Sequence, residues 1–270
     1  MEPESNYGNP METLNDLDRK AIRSWLERAL RDREQLPKAT PDESPSVAIL
    51  RGAKSLKRNV RDDIESACFA LVCEFADTLR ADEEYLSALL SLSWRLGVAE
   101  VADVLYELAT DETRFSKLTP AQQQEVLLRL TDFKRALPVD CWRNLVQRDA
   151  SLFGGAAFVG LLLHGVEPAL DILPDLPENK ALANLVASVL ENYWEDVNPP
   201  ERSQLVREAE AIQPACKPAL KDSLQRWVAR HASHTPVLAV GLALEHVHRS
   251  RERAPEFRSA RLTGRETILS

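Results

Sequence analysis

The sequence predicts an all-α protein: a right-handed α-solenoid of about five two-helix repeats behind an N-terminal capping helix, with an irregular helical bundle as the alternative. Three observations carry this expectation. Residues 59–98, 99–138, 139–177, 178–218 and 219–254 form consecutive stretches of about 40 residues, each readable as two helices, and stacked helical units have periods in that range. Apolar residues return at that period, as packing of one unit on the next requires. Glycine is scarce, at 9 of 270 residues, and no segment shows sustained apolar/polar alternation flanked by turn residues.

Taken in chain order, the first element is a helix from about residue 12 to 36, with Leu14, Leu17, Ala21, Trp25 and Ala29 along one face as a cap on the array. Residues 37–45, with Pro37, Pro41 and Pro45 among polar neighbours, read as a linker. The domain boundaries expected are therefore 1–45 for helix and linker, 46–254 for the repeat domain and 255–270 for a basic tail. Few apolar residues accompany the tail's arginines, and disorder is expected there.

Within the array, a shift of 40 relates Ile64, Cys68, Leu86 and Leu90 to Val104, Leu108, Val126 and Leu130. The same shift relates Trp142, Leu145, Val146 and Phe153 to Leu182, Leu185, Val186 and Tyr193. A shift of 42 then relates Leu182, Leu185 and Val186 to Leu224, Trp227 and Val228. Punctuation marks the helix ends. Asp82-Glu83-Glu84 opens a helix that closes on Gly97, with acids at the positive end of the dipole and glycine past the negative end. Thr119 caps a helix with Pro120 in its first turn, and Pro138 is expected to end it. Asn198-Pro199-Pro200 separates two further helices, and Pro214 and Pro218 bracket the next junction.

The stretch between Asp149 and Glu167 has no Asp, Glu, Lys or Arg, but four glycines interrupt it and it is shorter than the about 20 apolar residues a membrane span needs. A helix buried on nearly all sides is expected, with Gly155, Ala156 and Gly160 admitting close neighbours.

In its period near 40 and its helix–turn–helix units over residues 59–254, the array resembles the HEAT-like helical repeat family. The recurrent proline, aspartate and arginine of better-formed members do not recur at equivalent positions, so no residue role is carried over. The resemblance implies a curved stack that holds protein partners or, in a minority of relatives, nucleic acid.

Charge is uneven behind the net value of −8. Residues 46–61 hold five bases and no acids, whereas residues 62–115 hold thirteen acids and three bases. Arg51, Lys54, Arg58 and Arg61 fall at spacings of three and four with Lys57 beside them, so a helix there would display one basic face, fit for phosphate or an acidic protein surface. Glu100, Asp103 and Glu107 form an acidic stripe suited to a basic partner. Pairing of the bases with Asp62, Asp63 and Glu65 on a solvated surface is the simpler account of the basic face.

Catalytic signals are lacking. The chain contains no Gly-x-Ser-x-Gly elbow, phosphate loop, dinucleotide fingerprint or His-Glu-x-x-His. Glu245 and His248 make a single Glu-x-x-His pair near His231 and His234, where a dinuclear site needs two such pairs. Cys68, Cys73, Cys141 and Cys216 show no paired metal spacing and read as buried reduced thiols. The start, Met-Glu-Pro-Glu-Ser, has no signal-peptide pattern. The expectation is a soluble, cytoplasmic, non-enzymatic scaffold or adaptor that binds another protein and uses no cofactor or metal. A nucleic-acid binder, disfavoured by net charge, and a helical metal or small-molecule enzyme are the alternatives.

Overall fold

The computed structural model describes residues 11–32 and 44–232. These residues are helical, with no strand among them. The helices are α1 (Arg19–Arg31), α2 (Pro45–Ala53), α3 (Arg58–Thr78), α4 (Glu83–Leu96), α5 (Glu100–Thr110), α6 (Glu112–Phe115), α7 (Pro120–Asp132), α8 (Val139–Leu162), α9 (Val166–Leu170), α10 (Lys180–Asp196), α11 (Pro199–Ile212) and α12 (Pro218–Ala232). Packing follows chain order. α1 lies on α3, α2 on α4, α3 on α4 and α5, and both α4 and α5 on α7. Further along, α7 packs on α8, α8 on α10, and α10 and α11 on α12. One apolar core runs through all of them, from Met11 to Val228.

Local capping places most of the boundaries where the sequence reading put them. Asp82 accepts the Tyr85 N–H at 2.7 Å, and Gly97 leaves α4 in the left-handed region at φ 77°. Asn198 caps α11 by accepting the Glu201 N–H at 3.2 Å, with prolines in the first turn. At α7 a reciprocal capping box forms: the Gln122 N–H donates to Thr119 Oγ1 at 3.2 Å, and the Thr119 N–H donates to Gln122 Oε1 at 3.0 Å. Thr119→Ala removes one arm of that box. A loss of about 1 kcal/mol is expected, which for a chain of this size lowers the melting temperature by about 2–4 °C in circular dichroism; an unchanged transition would mean that the cap adds nothing.

Three boundaries differ from expectation. The N-terminal helix is broken: Glu12–Asp16 is a 3-10 turn, and α1 starts afresh after Asp18, which accepts the Ala21 N–H at 2.7 Å. Leu17 lies in the break and is 40% exposed rather than on the packed face, which consists of Ile22, Trp25, Leu26, Ala29 and Leu30. α7 stops at Asp132, well before Pro138, because Lys134 turns left-handed at φ 56°. The Arg135 and Lys134 N–H groups then close on the Leu130 and Thr131 carbonyls, the pattern of a Schellman stop. The supposed single basic helix is also interrupted, since α2 ends at Ala53 and α3 begins at Arg58. α2 itself pairs with α4 in the way that α1 pairs with α3, so the segment ahead of residue 59 supplies two packed helices rather than one cap. Most of the proposed linker, the basic tail and the second half of the fifth unit lie outside the described residues.

Of the residues paired at a shift of 40 in the first two units, Ile64 is fully buried and Val104 half-buried. Leu86, Leu90, Val126 and Leu130 are all fully buried at equivalent places on α4 and α7. Between the third and fourth units the 40-residue register does not hold in detail: Leu145 is 9% exposed but Leu185 is 42% exposed. The cause is the shape of α8. Asp149 sits at φ −160° and ψ 93° inside it, and a straight helix would separate Trp142 from Gly160 by about 27 Å. A Cβ at Gly160 would nevertheless fall 2.2 Å from the Trp142 indole. The arms before and after Asp149 therefore fold back on each other and form a helix pair by themselves. Asp149 starts the second arm by accepting the Ser151 and Leu152 N–H groups at 3.0 and 3.1 Å. Its bonds from Ser151 Oγ and from the Leu152 backbone hold its carboxyl below the usual range.

Candidate interaction surfaces

Of the five predicted bases, Arg51 lies in the last turn of α2, Lys54 in the turn that follows, Lys57 at the N-cap of α3 and Arg58 and Arg61 in its opening turns. All five are exposed, but the break between Ala53 and Arg58 divides them between two helices and the turn that joins them, so they do not share one helical stripe. The turn is anchored by the Lys57 N–H, which donates to Asn15 Oδ1 at 2.8 Å, while Lys57 Nζ lies 3.8 Å from the Asp16 carboxylate. Asp63 faces Arg19 at 3.6 Å. Such exposed pairs contribute little to stability.

The acidic stripe forms as spaced. Glu100, Asp103 and Glu107 are exposed on α5, and Asp103 takes Arg135 at 3.0 Å. That guanidinium also lies 4.8 Å over the Tyr106 ring. The stripe continues onto α3 at Glu65. Burial first, then the Asp62 charge, raises the Glu65 carboxyl above its ordinary value; Arg61 opposes the rise and Glu100 adds to it. The basic and acidic patches thus meet on α3.

A third surface was not singled out from the sequence. A groove of about 970 Å³, open to solvent, crosses α4, α7, the second arm of α8 and α10, and reaches the facing ends of α1 and α2. Its walls are small where helices come close: Ser87, Ala88 and Ser91 on α4, Gly155 and Ala156 on α8. A Cβ at Gly155 would meet the Leu185 side chain at 3.0 Å, so a larger residue would push into that wall. Leu128 on α7 and Leu185 on α10 are 44% and 42% exposed within the groove. The segment expected to be buried on nearly all sides is therefore open on one: Leu152, Gly155, Ala156 and Val159 are half-buried and line this groove. The available signal was surplus apolar residues beside the core stripes. On α10 the stripe is Ala183, Val186, Leu190 and Trp194, and Leu182 and Leu185 stand next to it.

Charge in the groove is carried by Glu83 and Glu84 at the start of α4, Arg31 at the end of α1, and a cluster on α7. In that cluster Arg129 Nε donates to Glu125 at 2.8 Å and Nη1 to Asp132 at 2.7 Å, with the Arg129 side chain only 13% exposed. Arg31 is bound by Asp82 at 2.8 Å. Acid therefore exceeds base along this surface.

Two histidines have local partners. His231 is buried between Trp194 and Trp227, ring centres 4.3 and 4.8 Å away, and its Nε2 lies 2.9 Å from Glu191. His164 Nε2 lies 2.7 Å from the Leu137 carbonyl oxygen. No group of three His, Cys, Asp or Glu side chains among the described residues is placed to hold a metal ion, and His234, Glu245 and His248 fall outside those residues. The four cysteines are free thiols; Cys73 and Cys141 are half-buried rather than buried. Burial pushes the Cys68 thiol up to about 12 and the Cys216 thiol up to about 11, which favours the protonated form of both at neutral pH. No described helix is long and apolar enough to cross a membrane. A scan against protein-family models and searches of curated proteins and of solved structures return no match to the chain.

Proposed function

We propose that this chain is a non-enzymatic, cytoplasmic helical-repeat protein of the right-handed α-solenoid kind, resembling HEAT-like arrays, and that it serves as a scaffold, adaptor or regulatory subunit by holding another protein in its groove. Chain-order packing of helix pairs supports the architecture. The free thiols are in keeping with a reducing compartment. The observation that carries the binding role is the groove itself, where Leu128 and Leu185 stand about two-fifths exposed amid small residues that leave room for a partner's side chains. Large side chains inserted at such points dominate the energetics of protein interfaces.

Leu128→Asp with Leu185→Asp tests this reading. Both positions are exposed, so the circular dichroism spectrum and melting transition are expected to stay close to wild type. Recovery of a co-purifying protein is expected to fall at least about tenfold, the equivalent of 1.4 kcal/mol. Unaltered recovery would overturn the groove as the docking surface. Charge reversal at Arg51, Lys54, Lys57, Arg58 and Arg61, or at Glu100, Asp103 and Glu107, separates the two charged patches from it. Salt-sensitive binding of DNA or RNA that vanishes on reversal of the bases would replace the protein-partner reading with a nucleic-acid one.

A further inference from the structure

We propose that the groove is occupied, when no partner is bound, by the chain's own residues 236–253, which compete with the partner for it. The inference rests on the reading of the groove as a docking surface and adds its regulation.

The groove has a direction. At the α10 and α8 end it is apolar, through Leu182, Leu185, Leu152 and Val159; at the α4 end it carries Glu83 and Glu84. Residues 236–253, which lie outside the described residues, have the same polarity in sequence. Val237, Leu238, Val240, Leu242 and Leu244 come first without a charge among them, and Arg249, Arg251 and Arg253 follow, outnumbering Glu245 and Glu252 in the second half. The described chain ends on α12, the helix packed against α10, and therefore next to the apolar end. The order of entry thus brings leucines and valines to the apolar end and arginines to the glutamates. A chain entering from the α4 side would meet the groove with the opposite polarity.

Reach is sufficient. His231, at the end of α12, contacts Glu191, and Leu185 lies six residues before Glu191 along α10, about 9 Å away. The five residues from 233 to 237 span up to about 17 Å when extended. From α10 to α4 the groove crosses three helix spacings, about 27 Å in all, and the twelve residues from Val237 to Arg249 extend to about 40 Å. Glu83 accepts the Thr119 hydroxyl at 2.9 Å and keeps its second oxygen for a cation, and Glu84 is exposed beside it. A guanidinium that reaches both gains charge-assisted bonds that a lysine point charge makes less specifically.

Photo-cross-linking of the full chain tests this without any external partner. A benzophenone-bearing phenylalanine replaces Leu128 in one protein and Leu185 in another, and the linked peptides are identified by mass spectrometry after irradiation. The expected products join position 185 to the apolar part of residues 236–253 and position 128 to its middle or arginine-bearing part. In an equal mixture of heavy- and light-isotope protein, the linked pairs are expected to be all-heavy or all-light. Mixed pairs would mean that a second copy supplies the segment and would overturn occupation in cis. Absence of links to residues 236–253 from both positions would overturn the proposal outright, and a partner still lost in the Leu128→Asp, Leu185→Asp protein would leave the docking reading standing. Glu83→Lys with Glu84→Lys, both at exposed positions, is expected to lower the yield of links from position 128 several-fold. An unchanged yield would remove the charge argument and overturn the stated orientation.

Discussion

Trp142→Ala is expected to destabilise the protein by about 3–5 kcal/mol. Trp142 is fully buried where the first arm of α8 lies against the second, and its indole fills the space above Gly160. The effect has two components of opposite sign. Truncation removes a large apolar surface and leaves a cavity, but it also removes an indole N–H that is buried without an acceptor, which returns about 1 kcal/mol. Trp142→Phe keeps much of the ring and discards the N–H, so a smaller loss of about 1–2 kcal/mol is expected.

Gly160 supplies the control. Alanine gains about 1 kcal/mol of helix propensity there, but its Cβ would fall 2.2 Å from a rigid indole. Overpacking of that kind costs about 1–3 kcal/mol, so Gly160→Ala is expected to be neutral to destabilising by about 2 kcal/mol in the wild type. In the Trp142→Ala background the clash is gone and the same change is expected to stabilise. Urea unfolding of the four proteins measures the coupling as a double-mutant cycle. Strict additivity would show that the two arms of α8 do not close on one another.

Arg129→Met is expected to cost about 3 kcal/mol. Loss of one partner from a buried ion pair costs about 3–5 kcal/mol, and the lower end applies because Glu125 and Asp132 keep 16% and 28% side-chain exposure. Two carboxylates share one guanidinium, so acid is in excess and the acids are the less critical members. Burial raises the Asp132 carboxyl above its ordinary value in spite of the Arg129 charge. The folded protein therefore binds that proton more readily than the unfolded chain does. The resulting penalty is complete above the raised pKa and fades as pH falls through the folded value toward the ordinary one, so this group makes stability rise on acidification. Asp132→Asn is expected to be within about 1 kcal/mol of wild type at pH 7 and to remove that contribution, because the amide oxygen still accepts from Arg129. Denaturant midpoints measured from pH 7 to pH 4 check both statements. A loss on Asp132→Asn as large as that on Arg129→Met would mean that the ion pair with Asp132, rather than excess acid, governs the cluster.

Helix starts and stops were largely legible because a cap is a contact across three residues. Asp82, Thr119 and Asn198 each accept an N–H three positions on, and Gly97 supplies the left-handed step that ends α4. Lys134 escaped notice because a lysine carries no preference for that conformation, and the bonds from Lys134 and Arg135 to Thr131 and Leu130 impose it. The basic segment does not form one helix because α2 ends at Ala53 and α3 starts at Arg58, a break that the three- and four-residue spacing of the bases does not reveal. Spacing alone placed Glu100, Asp103 and Glu107 together because all three stand on one uninterrupted helix, α5.

By itself the sequence determined that the described residues are helical, roughly where their helices begin, and which charges stand along a single helix, since each depends on residues within one or two turns. Tertiary structure decided that α8 doubles back through Trp142 and Gly160, that Arg129 is shared by two acids, and that Leu128 and Leu185 stay open in a common groove. Leu128 and Leu185 stand beside the core stripes of their helices, so a local pattern shows only that they border the core. Whether a helix covers them depends on the path of backbone dozens of residues away, and the described helices leave both about two-fifths exposed.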